Sequence, residues 1–142
     1  MVGAPASGKS TWRLGFKGRV INPDTIRREV FNTQFDPAVE PQVWSLAMEE
    51  LDKALAAGEE VCFDATNITR ERRRPLIELA KKHGAVAKAV YFPVNIEILL
   101  RRNRCRPPGH RVPEGVVVSK AKRLEPPTPE EGFDYIETIS YK

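Results

Sequence analysis

Residues 3 to 11 read GAPASGKST, which fits the phosphate-loop spacing G-x-x-x-x-G-K-[ST]. No other stretch constrains the fold so tightly. In such a loop successive backbone amides converge on one point, with the positive end of a helix behind them, so the loop must join a buried strand to a helix. Only Met1 and Val2 precede Gly3. The central strand that should anchor the loop is therefore expected either to be unusually short or to continue in residues upstream of Met1.

The rest of the chain alternates strand and helix signals. A helix is expected from Gly8 to about Gly15. RVIN (19–22) reads as a buried strand ended by Asn22-Pro23, with a new helix starting at Asp24. Val43, Leu46, Ala47, Leu51, Ala54 and Leu55 recur at helical spacing and Gly58 supplies a stop, which predicts a helix over 41–57. Residues 60–64 form an apolar run closing on Asp64, the pattern of a buried parallel strand. Thr69 can cap a helix running to His83, with Pro75 tolerable only near its first turn and Gly84 as the stop; a strand is expected over 85–92. Asn95 caps a helix whose Ile96, Leu99 and Leu100 face inward, and Pro107-Pro108-Gly109 breaks it, where a mobile segment is expected. A helix from Pro113 to about Leu124, an extended connector over Pro126 to Pro129 and a final strand over 133–141 complete the pattern. Short connections between alternating elements imply an α/β fold, a parallel sheet of about four to five strands with helices on both faces.

At 142 residues the chain fits a single domain, 1–142, that can bury a core without disulfides or a structural metal. No apolar run is long enough to cross a bilayer and no secretory signal is visible, so neither a membrane nor an export route is expected. Cys62 and Cys105 stand far apart in unrelated contexts, which suits a reducing cytoplasm, and the glycosylation-like Asn67-Ile68-Thr69 is read as accidental. The net charge of +4 matters only where it is clustered. Arg70, Arg72, Arg73 and Arg74 form one group, for which a solvated helix face is as good a reading as a binding role. Arg101, Arg102, Arg104, Arg106 and Arg111 form a denser second group, where a solvated face is the weaker reading.

The loop amides suit an anionic phosphate, Lys9 adds a point charge toward the β and γ phosphates, and the Ser10 hydroxyl can ligate Mg²⁺. This identifies ATP or GTP and says nothing of the acceptor. A hydroxyl attacking a γ-phosphate needs a carboxylate to orient it and cations to neutralise the transition state. Asp24 follows the second strand and is placed for the first task, with capping the helix as its alternative. Arg27, three residues on, shares its helix face and suits an anionic group of the acceptor. Asp64 ends the apolar strand, where it can face Mg²⁺ or orient a lid arginine; Thr66 and Asn67 read as a turn capping the next helix. Residues 101–113, guanidinium-rich and broken by Pro-Gly, have the features of a short lid.

Together GAPASGKSTW, VINPDTIRRE, FDATNITRERRR, the lid from RRNRCR to HRVP, and RLEPPTPEEGFDYI resemble the 5′-kinase domain of polynucleotide kinases and polynucleotide kinase/phosphatases over nearly the whole chain. The resemblance implies a P-loop kinase fold that transfers the γ-phosphate of ATP to the 5′-hydroxyl end of DNA or RNA, with Mg²⁺. It implies a nucleotide site of Gly3, Ala6, Ser7, Gly8, Lys9, Ser10 and Thr11, with Ser10 on the metal. It also implies a general base at Asp24, acceptor contacts at Arg27, a D-x-T-N segment whose Asp64 and Asn67 serve the substrate side, and lid arginines on the phosphates. Arg102 and Arg106 fit best, with Arg101 and Arg104 open. The loop departs from the family at Ala6, where glycine is usual, which is tolerable only if that position has no positive φ. No Asp-x-Asp motif for a phosphatase occurs in the chain. Seryl-tRNA kinases and small-molecule P-loop kinases share much of this skeleton, so those acceptors, and a nucleotide-binding module without a transfer substrate, are the alternatives.

Overall fold

The computed structural model describes residues 1–140. Helix α1 (Lys9–Arg13) follows the loop, and strand β1 (Arg19–Ile21) leads into α2 (Pro23–Glu29). Helix α3 (Glu40–Ala56) precedes β2 (Val61–Phe63) and α4 (Arg70–Lys82); β3 (Lys88–Tyr91) precedes α5 (Ile96–Arg104) and α6 (Glu114–Arg123), and β4 is Tyr135–Thr138. β1 pairs with β2 and β3 with β4, each in parallel. What joins the two pairs is the stub before the loop. Val2 bridges Tyr91 in parallel, its amide donates to Val90 (2.8 Å) and its carbonyl accepts from Phe92 (2.9 Å), while the Gly3 amide donates to Thr66 beyond β2 (3.0 Å). Val2 thus forms an isolated bridge between the two pairs, and three backbone hydrogen bonds anchor the loop.

Both sheet faces are covered, as side-chain alternation along β2 shows. Phe63 packs with Ile21, Ile26, Val43, Ala47 and Leu51 against α2 and α3. Its neighbour Cys62 packs the opposite way with Met1, Val90 and Phe92, under Trp12 and Phe16. A third cluster of Ala4, Leu99 and Val117 seats α5 and α6 beside the loop.

Several boundaries differ from the sequence expectation. The buried stripe of α3 is Val43, Ala47, Leu51 and Ala54, whereas Leu46 is 37% exposed, because a four-residue step from Val43 to Ala47 leaves position 46 on the flank. Pro75 falls in the second turn of α4 rather than the first; an i→i−4 bond is lost there, and the helix continues because its Ile77 and Ala80 face is buried. The connector after Pro126 tightens into a 3₁₀ turn at Pro129–Glu131, fastened by a capping box between Thr128 and Glu131. The last strand covers Tyr135–Thr138 of the expected 133–141, and Tyr141 lies outside the described residues.

Candidate functional site

The phosphate loop leaves the stub at Gly3, where a Cβ would come within 2.5 Å of the Ser7 hydroxyl and 3.1 Å of the Phe92 side chain, so only glycine fits. Gly8 caps α1 at φ 107 and, having no side chain, leaves the first-turn amides without a side-chain acceptor. Ala6 sits at φ 68. That overturns the expectation that alanine is tolerated here by avoiding positive φ: the loop imposes the left-handed conformation whatever residue occupies it, at a cost of about 1–2 kcal/mol for a residue with a Cβ. Lys9 Nζ donates to the carbonyls of Gly3 (2.9 Å) and Ala4 (2.7 Å), curling over the loop. Burial pushes its ammonium down to about 7, against the pull of Asp64 and with the added repulsion of Arg106 and Lys120. Ser7 is buried in the loop floor, whereas Ser10 and Thr11 are exposed on α1.

Asn22 caps α2 and also ties the two carboxylates together. Its Oδ1 accepts from the Asp24 amide (2.8 Å) and its Nδ2 donates to Asp64 (3.1 Å). Because Asn22 is the cap, the Asp24 carboxylate is released from that duty; it is 69% exposed and pairs with Arg27. Arg27 is further committed to Glu40 through two bonds, Nε to Oε2 at 2.8 Å and a second nitrogen to Oε1 at 2.6 Å. Its guanidinium, expected on the acceptor, is bonded here to Asp24 and Glu40, with the Glu40 hydrogen bond raising its pKa.

Asp64, 12% exposed, is paired with Arg13 on α1 rather than with a lid arginine. The reason is local: Arg13 lies four residues after Lys9, so it shares a helix face with the loop lysine and projects onto the end of β2. Asn67 also differs from expectation. It is buried at φ 48 with Nδ2 bonded to the Met1 carbonyl (2.8 Å), so it locks the turn against the stub and does not face an acceptor.

The lid is braced at its base. Asn103, buried on α5, exchanges two bonds with Val112, 2.7 Å from its Nδ2 to the carbonyl and 3.0 Å from the amide to its Oδ1. Arg104 pairs with Glu114 (2.6 Å), and the Arg111 side chain bonds the Arg106 carbonyl (2.7 Å). Arg106 is the lid arginine whose charge reaches Lys9. Arg102 is half-buried beside Asn103 on the same helix.

Sequence reasoning missed Arg13, Asn22, Glu40 and Lys120. Helical spacing carried a signal for two of them: Arg13 four residues after Lys9, and Lys120 three residues after the fully buried Val117. Neither reading open for the first arginine group, a solvated face or a binding role, describes all of it. Arg73 is 1% exposed and bonded to Glu131 and to the Asn67 carbonyl, so it is not part of a solvated face.

Among the described residues no group of three or more His, Cys, Asp or Glu could hold a metal. A cation here would therefore rest mainly on phosphate oxygens with the Ser10 hydroxyl as protein ligand, the arrangement Mg²⁺ accepts readily. The uncapped first turn, the loop lysine and Ser10 fit a Mg²⁺-bound nucleoside triphosphate. No helix is long and apolar enough to cross a membrane among the described residues.

The AAA domain family matches residues 1–127, and the chain belongs to it. A bifunctional polynucleotide phosphatase/kinase of Schizosaccharomyces pombe is 25% identical over 147 aligned residues, covering 100% of this chain and 33% of that protein. An L-seryl-tRNA(Sec) kinase of Methanococcus maripaludis is 25% identical over 145 residues, covering 94% of this chain and 54% of that protein. The chain thus spans about a third and about half of these two relatives. A chain of the solved Pnkp1/Rnl/Hen1 complex superposes with a TM-score of 0.63 at 24% identity, over 75% of this chain and 38% of its own length. The resemblance to polynucleotide 5′-kinase domains and the P-loop kinase fold are borne out. The chain has the fold of P-loop kinases.

Proposed function

We propose that this member of the AAA domain family transfers the γ-phosphate of ATP to the 5′-hydroxyl end of a nucleic acid. The observation that carries the reading is Asp24: a carboxylate freed from capping by Asn22, held by Arg27, exposed, and close enough to Lys9 for its charge to be felt there. Such a group accepts a proton from an attacking hydroxyl. The loop amides and Lys9 would hold the triphosphate, and Ser10 would ligate Mg²⁺, whose charge would offset that of the phosphate oxygens. Arg106, with Arg102, approaches the transferring phosphate from the lid. Asp64, fixed by Arg13 and Asn22, keeps the loop lysine company from below.

The likeness of the whole of this chain to a third of a polynucleotide phosphatase/kinase and the cationic surroundings of Asp24 favour a polyanionic acceptor. Equal identity to an L-seryl-tRNA(Sec) kinase supports the second reading, an aminoacyl-tRNA acceptor. A competition assay separates them: 5′-hydroxyl DNA, 5′-hydroxyl RNA, seryl-tRNA and small alcohols share a limited supply of γ-labelled ATP. Label on the oligonucleotide ends is the expected result. Label on seryl-tRNA or a small alcohol alone overturns the 5′-end assignment, and ATP binding without transfer to any of them overturns the kinase reading. The site works in a domain read as one unit over 1–142 and in a reducing cytoplasm.

A further inference from the structure

We propose that Arg72 on α4 and Lys120 and Arg123 on α6 form a track that binds successive phosphates of a single-stranded acceptor leading away from Asp24; this rests on the 5′-kinase reading above.

The track is built by how α6 docks. Val117, wholly buried, packs with Ala4 of the phosphate loop and Leu99 of α5, and Ala121 extends the same stripe. At the far end the Glu125 amide donates to the Ile68 carbonyl (2.7 Å), and Glu125 lies 3.7 Å from Arg70. These contacts bring the chain just after α6 to the turn that starts α4. Lys120 and Arg123, three residues apart, then lie on one flank of α6, next to the inward stripe and facing α4. On that helix Arg72 stands with its guanidinium 5.0 Å from the centre of the Trp44 ring, which is itself stacked on Phe63. The stack holds the guanidinium in place while leaving its nitrogens open.

The absence of an ion pair and mutual proximity together mark out these three cations. Arg13, Arg19, Arg27, Arg70, Arg73 and Arg104 each have a carboxylate partner. Arg72, Lys120 and Arg123 have no ion pair among the described residues, although they lie close enough together for Arg123, Arg27 and Arg72 each to act on Lys120. Asp24 is the carboxylate that acts on Lys120 from the reacting side, and Arg27 already offsets it. Clustered cations without counter-charges repel one another and cost stability, a cost a polyanion removes on binding. Lys120 also acts on Lys9, so one end of the row lies toward the phosphate loop, with Arg72 and Arg123 near Lys120 at the other. A 5′-hydroxyl placed at Asp24 would send its own 3′-phosphates along this row. A small alcohol has nothing to place there.

The test compares two acceptors, a 5′-hydroxyl dodecanucleotide and a nucleoside 3′-monophosphate, for the wild type and for Arg72→Ala/Arg123→Ala. Both side chains are exposed, so the variant is expected to keep the wild-type Tm. The ratio of kcat/KM for the dodecanucleotide to that for the monophosphate should fall about tenfold or more, since only the longer acceptor reaches both arginines. In parallel, binding of a fluorescent single strand should lose salt dependence, the log–log slope decreasing by about 1.4 for two lost phosphate contacts. An unchanged ratio with an unchanged slope overturns the track. If the wild type phosphorylates neither acceptor, the 5′-kinase reading falls, and the binding slope alone decides whether the row is a nucleic-acid surface. Lys120→Gln should raise KM for both acceptors, because its phosphate is the first in the row; a KM unchanged for both removes Lys120 from it.

Discussion

Arg73 and Glu131 form a buried two-pronged ion pair, Nε to Oε1 at 2.8 Å and a second guanidinium nitrogen to Oε2 at 3.1 Å, with side-chain exposures of 2% and 7%. The pair fastens the 3₁₀ turn at Pro129–Glu131 to α4. A third Arg73 bond, to the Asn67 carbonyl (2.8 Å), extends the clamp to the turn behind the phosphate loop.

Removing one partner leaves the other charge buried and uncompensated. Glu131→Ala is expected to destabilise by about 3–5 kcal/mol in denaturant unfolding, whereas Arg73→Met/Glu131→Met should recover most of that loss. A single variant within about 1 kcal/mol of wild type would show that water reaches the pair. The same pair sets an acid limit. Burial pushes the Glu131 carboxyl up, but bonds from Arg73 and the Thr128 amide outweigh it and hold the group below its usual range. A depressed carboxylate stabilises the fold above its unfolded value and loses that contribution as pH falls through its folded value. The unfolding free energy of Glu131→Gln should therefore depend less on pH below about 4.5 than that of wild type.

Lys9 gives a second pH signature. With its ammonium lowered from 10.5 to about 7, the folded protein holds fewer protons there than the unfolded chain between those values, so stability should rise with pH across that window. A bound triphosphate restores the charge. ATP binding at pH 8 should therefore take up protons, measured by calorimetry in buffers of different ionisation heat, and ATP affinity should weaken as pH rises above about 7. No buffer dependence at pH 8 would mean that Lys9 is already fully charged.

As the proposed general base, Asp24 is expected to bear on turnover rather than on ATP affinity. Asp24→Asn should lower kcat roughly a hundredfold to ten-thousandfold while ATP affinity changes little, as measured by single-turnover transfer and nucleotide titration. Glu40→Gln, which frees Arg27 from one of its two carboxylates, should produce a smaller loss by letting Asp24 shift. Equal ATP weakening and rate loss in Asp24→Asn would assign the carboxylate to the nucleotide instead.

Ala6 at φ 68 stores strain that glycine would not. Ala6→Gly gains from relief of the left-handed backbone and loses through the greater freedom of the unfolded chain, so a net stabilisation of up to about 1 kcal/mol is expected. A loss above about 1 kcal/mol would show that the buried methyl contributes more than the strain costs.

Much of this molecule was legible in the chain because its signals are local. The spacing of Gly3, Gly8, Lys9 and Ser10 fixes a loop. Thr69 and Asn95 cap the helices they precede, at 3.2 Å to the Arg72 amide and 2.9 Å to the Ile98 amide, because a side chain two or three residues away needs no tertiary context to find its amide. Period and turn residues then order the strands and helices. What sequence could not assign is which charges meet. Arg73 and Glu131 are 58 residues apart, Arg13 and Asp64 are 51, and Asn67 and Met1 are 66. In the chain Arg73 looks like its solvated neighbours, and Asn67 looks like a residue that might face a substrate. Their roles appear only when the stub slots between β2 and β3 and the 3₁₀ turn at Pro129–Glu131 docks on α4. Burial and pairing belong to positions in space, and long-range packing of apolar stripes sets those positions, not the residues that occupy them.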